Sequence, residues 1–193
     1  MYQTKENQMK KTIFALAAIA ALAGTAAVAN TTVALTYGQD YTAAGFGEKT
    51  SETTGIAISQ SYGDYKVGVS YSGNTDAQNL EATIGHRFAL NDQVSVGAKL
   101  GLGERFDTAD FAYYTLSGDV GVKVNDKLTW TAINYRYRNA FDTANDYESH
   151  RVGTGVSYAL TDAVAVNATV YRKFDNNFDA TGNTAEIGLA YRF

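Results

Sequence analysis

Two histidines, His86 and His150, are the only imidazoles in 193 residues, and there is no cysteine. A hydrolytic site on this chain would need one of them as a base, oriented by a carboxylate and close to a nucleophile. His150 has Asp146 and Glu148 beside it in sequence, and His86 lies some sixty residues away in a different segment. Neither belongs to a nucleotide motif or an HExxH zinc motif, and without cysteine there is neither a thiolate metal site nor a disulfide framework. Asp107-Thr108-Ala109-Asp110 and Asp142-Thr143-Ala144-Asn145-Asp146 offer oxygens to a divalent cation, but neither has the EF-hand frame. The expectation is therefore no enzyme, no metal and no cofactor. A net charge of −4 argues against a nucleic-acid partner.

The remaining chemistry lies in charges that recur every second residue within short runs. Lys66, Arg87, Lys99, Lys123, Arg136, Arg138, Arg151, Lys173 and Arg192 fall on one parity of their runs, together with only Glu81, Asp119 and Glu186. On the opposite parity stand Val, Ile, Leu, Tyr and Phe. Tyr65, Val67, Val69 and Tyr71 alternate with Lys66, Gly68, Ser70 and Ser72, and Val94 to Leu102 alternates with Gln93 to Gly101. Strict period-two alternation over eight to twelve residues is the signature of a half-buried strand. Proline, which would remove a ladder hydrogen bond, is absent, and 14 tyrosines and 18 glycines suit strands and turns.

Ten such runs are expected. They are joined alternately by tight turns at Gly63-Asp64, Asn91-Asp92, Asn125-Asp126 and Thr161-Asp162 and by longer loops at about 39–52, 73–78, 103–111, 139–147 and 174–184. In the run 127–138, Trp130 falls on the polar parity, and a bulge near 129–131 would restore it.

Alternation alone suits a soluble sandwich as well as a membrane barrel. The aromatic residues decide between them. Tyr62, Tyr65, Phe88, Tyr158, Tyr191 and Phe193 fall at the turn-side ends of the apolar faces. Tyr37, Tyr71, Tyr114, Tyr135, Tyr137 and Phe174 fall at the loop-side ends. Two aromatic girdles around an aliphatic band match the solvation of a membrane-crossing sheet, which must close because hydrocarbon cannot satisfy an open edge. The expected fold is an all-β, antiparallel up-and-down transmembrane β-barrel, most simply of ten strands, with eight as the alternative.

Residues 1–29 read as an export signal. Lys10 and Lys11 precede an unbroken small-apolar run that closes on Ala27-Val28-Ala29, with Met9 as the better start than Met1. A single barrel domain would then cover 30–193.

The segment 185–193 ends in Tyr191-Arg192-Phe193, with apolar residues at every second position back from Phe193. This resembles the C-terminal signal that outer-membrane β-barrels present to their assembly machinery. With the leader and the turn pattern, the chain is similar to the small porin-like barrels of Gram-negative bacteria, although the familiar small members often have eight strands. The resemblance implies residence in the outer membrane, contact with lipid and lipopolysaccharide, and Tyr191 and Phe193 as the assembly signal.

Nine inward cations against three inward acids would line the bore. A narrow positive lumen favours anions. One reading is a passive diffusion channel for small solutes or ions with an anion preference. The other is a plugged barrel in which Arg136 and Arg138 pair with Glu81, Asp119 or Glu186. Such a barrel would act through loops carrying Asp40, Glu48, Glu52, Asp76, Glu104, Asp107, Asp110, Asp142, Asp146, Glu148, Asp175 and Asp179, offset there by Lys49 and Arg105.

Overall fold

The computed structural model describes residues 30–74, 76–107, 110–142 and 147–193. The proposed leader with its Met9 start, and the loop positions Thr108, Ala109 and 143–146, lie outside the described residues.

Ten strands follow one another: β1 (Thr31–Tyr41), β2 (Lys49–Tyr62), β3 (Tyr65–Gly73), β4 (Gln78–Ala89), β5 (Val94–Phe106), β6 (Phe111–Lys123), β7 (Leu128–Ala140), β8 (Glu148–Ala159), β9 (Val164–Phe174) and β10 (Ala180–Arg192). Each pairs antiparallel with its sequence neighbours, and β1 pairs with β10, so the sheet closes into a barrel. Closure leaves no row of unpaired backbone groups at an edge.

The turn side shows why its repeated sequence frame recurs. The Asn91 side chain accepts hydrogen bonds from the backbone N–H groups of Gln93 and Val94. Asn125 does the same for Lys127 and Leu128, and the Thr161 hydroxyl for Ala163 and Val164. Each is a short side chain mimicking one peptide of a turn. Gly63 adopts φ +62° in the two-residue β2–β3 hairpin, where a Cβ would be strained. Beside the β6–β7 turn, the Lys123 ammonium at 2.8 Å holds the Asp126 carboxyl below its ordinary pKa.

The loop side departs from expectation. The strands run further than their sequences suggest, and the connections shrink to 42–48, 74–77, 107–110, 141–147 and 175–179. Asp40, Glu52, Glu104, Arg105 and Glu148 are strand residues, not loop residues. The acidic rim is correspondingly smaller.

Facing outward, the strands carry Leu35, Ile84, Leu100, Leu102, Leu116, Ile133, Val170 and Ile187, each 44–62% exposed. In water each such side chain would forgo roughly half of the ~1.5–3 kcal/mol that full burial is worth. The buried apolar residues are few by comparison: Ile58, Phe106, Phe111, Tyr113 and Ala140 among the described residues. The large aliphatics therefore stand outside, and the greasy faces do not pack on one another. Aromatic pairs bound this band on both sides. On the turn side Tyr65, His86 and Phe88 pack together and, separately, Tyr191 meets Phe193; on the loop side Tyr114 packs with Tyr137 and Phe141.

The parity conflict in β7 is resolved by a bulge one residue beyond the expected place. Val120 pairs with Ile133 but Gly121 pairs with Thr131, so Ala132 is the extra residue. Trp130 is thereby returned to the outer face, opposite Val122 and Val156. A bulge on a lipid-facing wall frees a carbonyl that hydrocarbon cannot satisfy. Here Thr154 Oγ1 donates to Thr131 O at 2.8 Å and accepts from Trp130 Nε1 at 3.0 Å. Thr154→Val keeps the shape and removes both bonds. It is expected to lower unfolding stability in detergent or lipid by about 1–3 kcal/mol, read by urea titration; an unchanged midpoint would remove this role.

Candidate lumen site

Ladder register assigns every strand residue to one of two faces. Lys66, Glu81, Arg87, Lys99, Asp119, Lys123, Arg136, Arg138, Arg151, Lys173, Glu186 and Arg192 all share the face opposite the exposed aliphatics. Asp40 and Arg105 join them, because β1 and β5 extend past the expected loop boundaries.

Three ion pairs organise this face. Arg87 reaches Asp119 at 2.6 Å and Ser95 at 2.9 Å, passing over β5 at Gly97, where an added Cβ would lie 2.9 Å from the guanidinium. Lys173 and Thr184 both donate to Asp40 at 2.5 Å, with Ser51 at 3.0 Å, which ties β9, β10, β1 and β2 together. Arg138 stands 3.7 Å from Glu81, donates to Asn79 at 2.9 Å, and lies 4.1 Å above the Tyr113 ring. Tyr113 is fully buried. Its ring fits over Gly103, whose missing Cβ would stand 2.6 Å from the Tyr113 hydroxyl. Tyr171 occupies the hollow at Gly153 in the same way, and Arg151 stacks on it at 3.9 Å. A large inward aromatic is accommodated only where the neighbouring strand has no side chain.

At the loop-side mouth, Arg105 donates to Asp107 at 2.7 Å and faces the Tyr147 ring at 5.5 Å. Burial alone would raise the Tyr147 phenol, but Arg138 and Arg105 outweigh it and hold the group below its ordinary pKa. At the turn-side mouth, Arg192 donates to Asp162 O at 2.9 Å.

The cations without such partners are Lys66, Lys99, Arg136 and Arg151. Among the described residues no carboxylate lies within 4.0 Å of any of them. Register links them. Lys66 pairs with Gly85, Gly85 with Lys99, Lys99 with Ser117, Ser117 with Arg136, Arg136 with Arg151, and Arg151 with Lys173. One continuous hydrogen-bonded row, from β3 to β9, thus carries Lys66, Lys99, Arg136, Arg151 and Lys173, with no acid in it. Barrel strands tilt, so such a row climbs. Lys66 is near the turn-side end of β3 and Lys173 near the loop-side end of β9.

In a ring of ten strands, opposite walls are five strands apart. The ion pairs join β4 to β6, β9 to β1, and β4 to β7, so they follow the wall and do not cross the bore. Of the pairings expected for a plug, Arg138–Glu81 forms. Arg136 pairs with none of the three acids, and Asp119 goes to Arg87.

The histidines are held apart. His86 is near the turn-side end of β4, against Tyr65 and Phe88. His150 begins β8 at the loop side, where Tyr135 Oη lies 2.7 Å from Nδ1, Glu148 3.5 Å from Nε2, and the Phe178 ring stacks at 4.2 Å. Among the described residues no group of three or more histidines or carboxylates is placed to hold a metal.

A closed antiparallel ring, aliphatic outside and charged inside, with aromatics at both rims, defines the outer-membrane class of up-and-down β-barrels. No family model matches the chain, and no curated protein matches it in sequence. Solved structures match in fold. An outer membrane channel from Pseudomonas putida F1 superposes with a TM-score of 0.58 at 8% identity, covering 86% of this chain and 96% of that one. The NanC porin follows at 0.53 and 13%, covering 83% and 100%. The KdgM porin, in complex with disordered oligogalacturonate, gives 0.52 and 11%, covering 83% and 99%. The resemblance to porin-like barrels thus holds in three dimensions, and at these identities it is a likeness of fold.

Proposed function

We propose that this chain is a small passive diffusion channel of the outer membrane whose lumen prefers anions. The observation that carries the reading is the acid-free row of Lys66, Lys99, Arg136, Arg151 and Lys173, climbing from one mouth toward the other. Cations spaced along a low-dielectric wall attract counter-ions, and several weak stations let them leave again. Two further features support an open bore over a plug. The ion pairs hug the wall, and ten strands enclose more room than the eight that side chains just fill.

The outer face would contact lipid and lipopolysaccharide, and Tyr191 and Phe193 would engage the assembly machinery after export. Catalysis has no place in this reading, because the two imidazoles stand at opposite rims. The purified barrel in planar bilayers is expected to show discrete steps, with a reversal potential in a KCl gradient that reports chloride over potassium. Silent membranes at high protein load would return the function to the plugged alternative. That alternative draws on the wall formed by Tyr113, Thr115, Glu81 and Arg138, each at most 8% exposed.

A further inference from the structure

We infer that the middle of the basic row, Ser117–Arg136–Arg151, is a binding site for a tetrahedral oxyanion of the phosphate type. The route to it rests on the channel reading, but the binding does not. Three donors at consecutive positions of one row are buried without a partner: Ser117 Oγ, Arg136 Nε and Arg151 Nε. Unpaired buried donors are rare, because each forfeits its water without replacement. Two guanidiniums directly opposite each other on neighbouring strands also repel. A single anion bridging the two guanidiniums would cancel the repulsion and supply the carboxylate-like partner that neither has within 4.0 Å among the described residues.

The site is also held in place. Arg151 lies on the Tyr171 ring at 3.9 Å, and that ring is lodged in the hollow at Gly153. On the other side, Arg138, one pair further along β7, donates through Nη1 to Asn79 and lies over Tyr113. Glu81 and Glu186 are the acids whose fields reach Arg136, and neither comes within ion-pair distance of it. Guanidinium presents its N–H groups as a planar fork, which matches the spaced oxygens of phosphate better than a halide. Ser117, beside Arg136 on the neighbouring strand, adds one hydroxyl donor. The geometry suits a compact dianion that accepts from several directions at once.

The test is titration calorimetry of the full-length barrel in detergent with inorganic phosphate, against acetate and chloride at equal ionic strength. Phosphate is expected to bind one per barrel, at least about tenfold tighter than acetate, since hydrogen bonds to charged groups are the strong ones. Arg136→Lys keeps the charge and loses the fork, and is expected to weaken phosphate by roughly tenfold or more. Ser117→Ala should weaken it several-fold and serves where the arginine variant does not fold. Equal affinity for phosphate and acetate, or wild-type affinity in both variants, overturns the site. Phosphate binding with silent bilayers would keep the site and remove the channel. Anion-selective conductance without phosphate binding would do the reverse.

Discussion

With Lys99, Arg136 and Arg151 all replaced by glutamine, the reversal potential in a KCl gradient is expected to fall most of the way to zero, the chloride preference largely lost. The three stand next to one another in the row apart from Ser117, and none has a carboxylate within 4.0 Å among the described residues. Their removal leaves Lys66 and Lys173 near the two ends of the row, and Lys173 is already neutralised by Asp40. Glu81 is likewise offset by Arg138, which leaves Glu186 as the inward acid with no cation within 4.0 Å among the described residues. Ordinary salt screens exposed charges over about 10 Å, and partly buried ones less, so local charge decides selectivity. Lys127→Gln, on the exposed β6–β7 turn, removes one positive charge outside the lumen and should leave the potential unchanged. A triple variant that keeps the wild-type chloride preference would show that the preference resides elsewhere.

The largest effect on stability is expected from Arg138→Met. Arg138 and Glu81 have side chains only 7% and 11% exposed, and the guanidinium also serves Asn79 and the face of Tyr113. Deleting the cation strands a carboxylate in a closed corner. Breaking a buried pair from one side typically costs about 3–5 kcal/mol. The double variant Glu81→Gln/Arg138→Met removes both charges and is expected to recover most of that loss. Trp130, the only tryptophan, is a convenient fluorescent reporter for urea unfolding in lipid vesicles. Equal losses in the single and double variants would mean that packing around Tyr113, not charge, holds this wall. A double variant that folds where the single does not would be the expected recovery in its extreme form.

The class of fold was legible because lipid and lumen impose opposite solvents on successive residues. Runs such as 65–71 and 94–102 record that directly. The strand ends were less legible. Asp40 and Arg105 lie in stretches rich in Asp, Gly and Thr, which read locally as loop. Their strand partners are far away in sequence, with Lys173 and Thr184 for Asp40 supplied by β9 and β10. The bulge was sensed from the parity of Trp130, but placing it at Ala132 required the register of both neighbouring strands. The parity of the run 164–171 already puts Tyr171 inward, but Tyr113 is illegible for a related reason. Tyr113 carries no polar-face signal of its own, and the hollow that takes it is a glycine on another strand. The basic row was the least legible feature. Alternation names the face of each cation but not its height, and height comes only from the stagger of the pairs.

That stagger has a consequence for traffic. Strand tilt spreads the five ammonium and guanidinium groups over successive levels, so in the proposed channel an ion would meet them in turn, as steps on a ramp. A ring of the same five charges at one depth would form a single deep well, slow to vacate. The tilt that ten strands and their stagger impose would thereby separate how strongly the proposed passage attracts from how long it detains.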